Sequence, residues 1–450
     1  MSGDQRNGPS MSASTNLNAS GMNKSSLIGA GLARLADRRR GVPTLLCLIV
    51  VALAAFSGPI DIAEGVSPDP EWRLARTPFK VFKLSVAMAA GAIGLWGVVC
   101  LPGVRSVMRS MPGLALTAMA VLFTATSITS VTTDSLPIAI VFAGYVLFVA
   151  TCLVVCGLRG TLFGVLVGVA LFTFAALFLY VFVPRYGVFP EDFGGGTIVE
   201  RLSGMSQPNH TGRSAMLGFL LVLYFLREPR SPRLLCIMLL GVFLTAGILA
   251  SSRTALVAAV ICVGILTLDL IFTHVGLIAV SLALVSAAGA VLALGAAGYE
   301  DRLVGKIVGL VTKTDNIEEV KSVTGRMEIW ERSIELIQQR PLHGYGLGAA
   351  KVVLVDHLQS THNILLHPTL AAGLGAGLVT LGLLGWNLVN VLIHPQLVIR
   401  ALSAYILISG LTEDTIYEPF PGVCSVLWLA CCLWPAMTVG VASPLKHNSP

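Results

Sequence analysis

The sequence predicts an all-α fold, a polytopic transmembrane helix bundle of about 12 spans, and three observations support this class. First, 55% of the 450 residues are hydrophobic and only 12% are charged, whereas soluble domains carry roughly 25% charged residues. Second, apolar runs of about 18 residues or more, which is enough to cross a hydrocarbon core as a helix, recur along the chain. Third, residues 299–360 form one connection that is far longer than the others, as functional loops often are.

Proline, glycine and charged residues separate the apolar runs and set the limits of the predicted spans. The spans lie near residues 42–60, 79–101, 112–131, 136–157, 160–183, 211–226, 233–250, 254–273, 275–298, 365–393, 397–412 and 421–441. One bundle is therefore expected over residues 42–441. It is flanked by a disordered cytoplasmic tail at 1–41, rich in serine and asparagine at its start, and by a short cytoplasmic tail at 442–450.

Arginine and lysine residues in the short loops predict the orientation of the bundle. Arg38, Arg39 and Arg40 precede the first span, and most other cations of the short loops fall on the same side. By the positive-inside rule this side is cytoplasmic, so the loop at 299–360 faces outward. The net charge of +6 is scattered over connecting loops, which does not indicate a nucleic acid partner.

The long outer loop contains the pattern of an amphipathic helix. Thr324 is expected to cap its start, and Pro341 follows its end. Four apolar residues recur at helical spacing, namely Met327, Trp330, Ile334 and Ile337. We expect this face to lie along the outer membrane interface or to cover the bundle.

No cofactor or metal site is predicted. The nine cysteines lie in apolar runs without metal-ligand spacing, so we expect them to be small buried residues. The glycine-rich runs at 344–348 and 373–377 follow no strand, and in membranes such runs usually mean close helix packing. Asp69 and Glu71 offer two carboxylates to a divalent cation, but neighbouring prolines favour a solvated turn.

Three arginines and a histidine fall at or just outside the predicted outer boundary: Arg213, Arg253, Arg326 and His362. Arg253 lies in a very short turn between two apolar helices, where a desolvated guanidinium requires an anion and suits phosphate. A single arginine in such a place more simply reaches lipid headgroups. Because several cations share one side, the sequence favours an anion-binding site there.

His362 is the predicted proton-transfer group, because an imidazole titrates near neutral pH. It would take the proton of an acceptor sugar hydroxyl while the arginines hold a diphosphate leaving group. His210 lies in the same layer, and the sequence does not rank the two histidines. The secondary candidates are Asn209, Asn363, Glu413 and Asp414. The two acids would orient a sugar, pair with an arginine or face water.

Taken in order, four motifs resemble the superfamily of O-antigen ligases and of O-antigen and exopolysaccharide polymerases. They are R-L-S-G-M-S-Q-P-N-H at 201–210, L-A-S-S-R-T-A-L at 249–256, T-G-R-M-E-I-W at 324–330 with R-P-L-H-G-Y-G-L-G at 340–348, and T-H-N-I-L-L at 361–366. The resemblance covers roughly residues 200–390 and is carried by the ordered set rather than by any one motif.

This resemblance implies a metal-independent, lipid-linked oligosaccharide glycosyltransferase in the bacterial inner (cytoplasmic) membrane, with its active site facing the periplasm and no cofactor. Its partners would be an undecaprenyl-diphosphate-linked glycan donor, a glycan acceptor, membrane lipid and a chain-length regulator, with no nucleic acid. Carried over by motif, Arg213 and Arg253 would bind the diphosphate, Arg326 would assist, and His362 would activate the acceptor hydroxyl.

The chain departs from the family pattern at one point. Family members often carry a glutamate before the glycine-rich part of the tenth span, where this chain has Ala371 and Ala372. An acidic role would therefore fall to another residue, such as Glu413 or Asp414.

Three functions follow from these observations. The leading prediction is a polymerase that joins lipid-linked repeats into exopolysaccharide or O-antigen. The alternative enzyme is a ligase that transfers finished glycan to lipid A core. A polysaccharide or lipid transporter is the third candidate, but transport predicts ionisable groups near mid-membrane. Asp269 is the main intramembrane acid, and it lies near the inner end of its span.

Overall fold

The computed structural model describes residues 24–60, 70–192, 198–204, 206–229, 231–267, 326–354, 360–417 and 420–441. Over these residues the fold is mostly helical, with one short antiparallel pair of strands. The chain forms two units, Met1–Leu45 and Leu46–Pro450. The described part of the first unit is helical, and all features below belong to the second unit unless stated.

The helices begin and end close to the breaks in the apolar runs. In chain order they are α1 (Lys24–Ser57), α2 (Pro70–Cys100), α3 (Pro102–Met108), α4 (Met111–Ser127), α5 (Ser135–Phe182), α6 (Pro184–Gly187), α7 (Pro208–Leu226), α8 (Arg233–Leu249), α9 (Arg253–Leu266), α10 (Arg326–Gln339), α11 (Ala350–Val353), α12 (Leu366–Ile393), α13 (Leu397–Gly410) and α14 (Val423–Val441). The strands β1 (Val188–Asp192) and β2 (Ile198–Leu202) lie between α6 and α7, with Val188 opposite Leu202.

Three segments of the described chain are long and apolar enough to cross a membrane: Pro78–Cys100, Ser135–Phe182 and Leu366–Ile393. The bent pair α3 and α4 would make a fourth if it acts as one span, and several further apolar helices are shorter. The predicted span at 275–298 and Asp269 lie outside the described residues. The full number of spans and the orientation of the bundle stay predictions.

Helix α1 begins earlier than the sequence analysis expects. Residues 24–41 belong to this helix, whereas the sequence predicts a disordered tail over 1–41; the cytoplasmic tail stays a prediction. The serine- and asparagine-rich composition that suggested disorder belongs to the residues before Lys24, which lie outside the described part. The following segment contains several alanine, leucine and arginine residues, which have high helix propensity.

Helix α5 is interrupted at Gly157, between the predicted spans 136–157 and 160–183. The backbone there has φ 67° and ψ 176°, a conformation that glycine adopts with little strain. Small residues also let α5 approach α2 closely, because a Cβ added at Gly94 or Gly97 would collide with residues of α5. This is the use of glycine expected between apolar helices.

The amphipathic helix predicted in the long connection is present, but its buried face differs from the predicted one. Helix α10 buries Ile329, Ser333, Leu336 and Ile337, whereas the predicted Met327 and Ile334 are each 45% exposed. The buried face packs against Tyr345, Ala349 and Leu370, a surface that helical spacing alone does not reveal. Ser333 fits this apolar contact because its hydroxyl donates to the carbonyl of Ile329 at 2.7 Å. Thr324, the predicted cap, lies outside the described residues.

Helix α12 is broken at Ala372 and Gly373, and the turn that follows α10 satisfies the broken backbone. Gly373 has φ 78° and ψ −175°. The N–H groups of Tyr345 and Gly346 donate to the carbonyls of Leu370 and Ala371 at 2.9 and 2.8 Å. On the other side of the break, the N–H of Leu374 donates to the carbonyl of Pro341 at 2.7 Å. The run at 340–348 therefore joins α10 to α12 through backbone hydrogen bonds.

We expect Gly373→Ala to destabilise the protein by about 1 to 3 kcal/mol, because a side chain at this positive φ is strained and its Cβ would meet the backbone of Leu342. The midpoint temperature for loss of the monodisperse peak in detergent measures the effect. Gly375→Ala is the matched control, since its Cβ would make only ordinary contact with Leu122. Equal midpoints for the two variants would contradict the structural role given to Gly373.

Candidate functional site

The loop between α13 and α14 carries two carboxylates, Glu413 and Asp414, into the protein. Glu413 is only 5% exposed. An isolated charge at such a place costs several kcal/mol, so a buried carboxylate requires partners. The surrounding elements supply them.

The segment that precedes α12 runs alongside this acidic loop and is hydrogen bonded to it. The N–H of Ile364 donates to the carbonyl of Gly410 at 2.9 Å, and Asn363 Nδ2 donates to the carbonyl of Leu411 at 3.3 Å. The hydroxyl of Ser360 donates to Asp414 Oδ2 at 2.7 Å. These contacts fix the position of His362 relative to Glu413.

Four side chains surround the Glu413 carboxylate. Arg326 Nη2 lies 2.8 Å from Oε1, and Asn209 Nδ2 lies 3.3 Å from the same oxygen. His362 Nδ1 lies 3.2 Å from Oε2, and Arg213 Nη1 lies 3.8 Å from it. We call these five residues the Glu413 cluster. It combines residues from α7, from α10, from the segment before α12 and from the loop after α13.

Arg201 in β2 extends the cluster and was missed as a site residue by the sequence analysis. Its Nη2 donates to Asn209 Oδ1 at 2.9 Å, which orients the Asn209 amide toward Glu413. Its Nε and Nη2 also donate to the carbonyl of Ala250 at the end of α8. Arg201 is 4% exposed. Its place in the motif at 201–210 was the only sequence signal.

Arg253 is the first residue of α9. It lies two residues after Ser251, whose carbonyl accepts a hydrogen bond from Arg201 Nη2 at 3.3 Å. The side chain of Arg253 is partly buried. Its neighbour Thr254 accepts a hydrogen bond from the hydroxyl of Thr412 at 3.3 Å. Since Thr412 precedes Glu413, this contact places the start of α9 beside the acidic loop.

His362 has an unusual backbone conformation that directs its ring to Glu413. Its φ is 47°, which is uncommon for a residue other than glycine and persists only where surrounding contacts hold it. Its N–H donates to the Ser360 hydroxyl at 3.2 Å. Because Nδ1 faces a carboxylate, the neutral ring is assigned a proton on Nδ1, and Nε2 is then the nitrogen that accepts a proton.

The partners of each carboxylate decide its charge. Burial alone would raise the pKa of Glu413, but the hydrogen bond from His362 and the charges of Arg213 and Arg326 outweigh burial and lower the pKa to about 2. The pKa of Asp414 is likewise held below its usual range, because His367 and Ser360 outweigh the effect of burial. Both acids are therefore ionised at neutral pH.

His367 is a second residue that the sequence analysis did not single out. Its Nδ1 lies 3.2 Å from Asp414 Oδ2, and its ring stacks on Tyr417 at 6.5 Å between centroids. His367 therefore supports Asp414 as His362 and the arginines support Glu413. The sequence gave little indication of this role, because a histidine near the start of an apolar helix is usually a packing residue.

Other predicted residues lie apart from this cluster or serve the backbone. Asn363 Oδ1 accepts hydrogen bonds from the N–H groups of Leu365 and Leu366 at 2.9 and 3.0 Å, so it holds the backbone that leads into α12. His210 lines a separate cavity. Asp69 and the side chain of Glu71 lie outside the described residues.

Ligand atoms of His362, Glu413 and Asp414 lie within 4.8 Å of one another, a spacing that a metal ion could use. However, Arg326 and Arg213 approach the same Glu413 carboxylate, and their charges oppose a divalent cation there. The cluster is therefore better suited to a phosphate-containing anion, which arginine binds through several N–H groups.

The central part of the chain is similar to one known family. Residues 236–381, about a third of the chain, match the family model described as O-antigen ligase. The matched segment includes Arg253, Arg326 and His362, whereas Arg213 and Glu413 lie outside it. No curated protein matches the chain. The match supports a membrane enzyme of the O-antigen ligase or polymerase type.

We expect the Glu413 cluster to make stability depend on pH in the acidic range. A lowered pKa means that the stabilisation is complete above the ordinary value of 4.5 and is lost as pH falls toward about 2. Thermal midpoints of the detergent-solubilised protein, measured between pH 7 and pH 3, should therefore fall below about pH 4.5. Glu413→Gln should be less stable at pH 7 and lose less on acidification, the remaining slope coming from groups such as Asp414. A parallel pH dependence of the two proteins would contradict this assignment.

Proposed function

We propose that this protein polymerises oligosaccharide repeats, carried on undecaprenyl diphosphate, into exopolysaccharide or O-antigen at the periplasmic face of the inner membrane. One observation carries the proposal. A buried carboxylate, Glu413, holds an imidazole and arginine guanidinium groups in a single cluster. A base beside a cationic anion-binding group is what glycosyl transfer from a lipid diphosphate requires.

The proposed step is a displacement at the anomeric carbon of the donor sugar. The acceptor hydroxyl oxygen forms a new bond to that carbon, and the bond from the carbon to the diphosphate oxygen breaks. The lipid diphosphate leaves with the bonding electrons, while the hydroxyl proton moves to Nε2 of His362. Glu413 stabilises the resulting imidazolium through Nδ1, at 3.2 Å, as a carboxylate does in other acid–histidine pairs.

Burial suggests a division of labour among the arginines. The Arg213 side chain is 3% exposed and that of Arg326 is 14% exposed. We therefore assign Arg213 to holding Glu413, and Arg326 together with Arg253 to binding the diphosphate. A guanidinium has five N–H donors, so Arg326 can contact Glu413 through one nitrogen and an anion through the others.

The choice between the two histidines follows from their surroundings. His362 faces Glu413, and this contact orients its ring. His210 lies in α7 and lines the cavity apart from the Glu413 cluster and a narrow cleft beside Arg213, whereas the ring of His362 contacts the Glu413 carboxylate itself. We therefore propose His362 as the base. The charges around Glu413 also support a reaction that needs no metal.

A ligase remains the second candidate, because the matched family is described as O-antigen ligase. Ligase and polymerase share the donor and the chemistry at its anomeric carbon. They differ in the acceptor, which is lipid A core for the ligase and another lipid-linked repeat for the polymerase. The residues of the Glu413 cluster act on the shared part of the reaction.

We expect His362→Ala to lower polymer formation by roughly 100-fold or more, the usual contribution of general base catalysis. The measurement is the yield of long chains from lipid-linked repeats with purified protein. His343→Ala is the matched control, since this exposed histidine lies in the same outer loop and should leave the yield unchanged. Addition of EDTA should also leave it unchanged. If His362→Ala protein retains normal yield, the proposed chemistry is wrong.

Gel analysis of a deletion strain separates polymerase from ligase. For a polymerase, we expect single repeats to remain and all long chains to disappear, because no other step extends the glycan. Long chains that accumulate on the lipid carrier and never reach lipid A core would instead assign the protein as a ligase.

A further inference from the structure

A cavity of about 530 Å³ lies apart from the Glu413 cluster. Gly58 and Ile60 after α1, residues 79–84 of α2, the start of α5 and helix α11 contribute to it, together with Phe420 before α14. No member of the Glu413 cluster lines it. The volume falls in the range of known ligand sites, roughly 300 to 1,000 Å³.

The charge of the described lining is positive. Lys80, Lys83 and Lys351 contribute ammonium groups, against the single carboxylate of Asp134. Lys83 is held in place, because its Nζ donates to the carbonyl of Gly58 at 3.3 Å and lies 5.6 Å from the centroid of the Phe420 ring. Three lysines on one cavity favour an anionic ligand.

The remaining lining is largely apolar. Phe79, Ile138 and Phe420 lie among the lysines. Val81 and Val352 also line the cavity and are 59% and 51% exposed, so the cavity continues onto an apolar surface. A free anion gains nothing from such a surface, whereas a lipid gains by placing its chain there.

We infer that this cavity binds the phosphate headgroup of a membrane lipid, with the lysines on the phosphate and the lipid chain along the apolar lining. The inference rests on the proposed function in one respect, namely that we assign the lipid to the acceptor side of the transfer. The Glu413 cluster would already hold the donor diphosphate. A second phosphate site is needed if the acceptor is also lipid-linked.

His210 connects the two regions. It lines the lysine cavity, and it also lines a second, narrow cleft that contains Arg213 and Cys424. Arg213 belongs to the Glu413 cluster. An acceptor glycan whose lipid phosphate is bound by the lysines could therefore extend past His210 and Arg213 toward His362. His210 then contacts the acceptor rather than acting as the base.

Lipid crosslinking tests the inference with the full-length protein in phosphatidylcholine nanodiscs. The probes are photoactivatable phosphatidic acid and photoactivatable phosphatidylcholine with the same chains, and labelled peptides are located by mass spectrometry. We expect phosphatidic acid to label residues 79–84 and 348–352 in preference to phosphatidylcholine. An excess of inorganic phosphate should not reduce this labelling, because the chain contributes to binding.

The triple variant Lys80→Gln, Lys83→Gln and Lys351→Gln should lose this labelling by roughly tenfold. Arg105→Gln with Arg109→Gln is the matched control, since it removes exposed cations that do not line the cavity. If the triple variant does not give folded protein, Lys351→Gln alone changes one exposed side chain and should reduce labelling roughly threefold.

Equal labelling by both lipids, unchanged labelling of the lysine variants, or complete competition by inorganic phosphate would each overturn the inference. The last result would assign the cavity to a free anion. Failure of the proposed function is measured separately, because His362→Ala should abolish polymer formation without changing phosphatidic acid labelling. In the transfer assay, the lysine variants should raise the KM for a lipid-linked acceptor more than they lower kcat.

Discussion

The burial of one carboxylate, Glu413, sets the arrangement of this side of the protein. At 5% exposure it cannot remain ionised without compensation, and removing a partner from such a pair typically costs about 3 to 5 kcal/mol. The groups that compensate this charge come from α7, α10 and the segment before α12, so these elements pack around the loop after α13. These elements come from distant parts of the chain. The same charged groups therefore stabilise the packing of these elements and form the proposed chemical site.

Many helix limits were predictable, because proline, glycine and charged residues interrupt the apolar runs near them. The contacts of the site were not. Glu413 lies 51 residues from His362 and 87 from Arg326, and no local pattern encodes such a pairing. The sequence could place the arginines and the histidine in one layer but could not assign their partner. Arg201 and His367 were missed for the same reason, since their role appears only when β2, α8 and the acidic loop are adjacent.

The amphipathic helix α10 shows where pattern reasoning fails. Its spacing predicted a helix correctly, yet the chosen face was rotated relative to the buried one. Met327 and Ile334 are exposed, and Ser333 is buried because a backbone carbonyl satisfies its hydroxyl. Hydrophobicity indicates that a helix has a buried side, but the surface it meets decides which side that is. Here Tyr345 and Leu370 provide that surface. Packing of α10 on it helps to position Arg326, the first residue of that helix, beside Glu413.

The hydrogen bonds between the turn after α10 and the broken part of α12 have a consequence for the length of the chain. The N–H groups of Tyr345 and Gly346 donate to the carbonyls of Leu370 and Ala371, so successive residues of the turn are paired with successive residues of α12. An inserted or deleted residue in the turn would shift this register and displace α10 together with Arg326. Natural variation in loop length should therefore fall elsewhere in the connection that precedes α10, and engineers who wish to graft new segments should leave this turn intact.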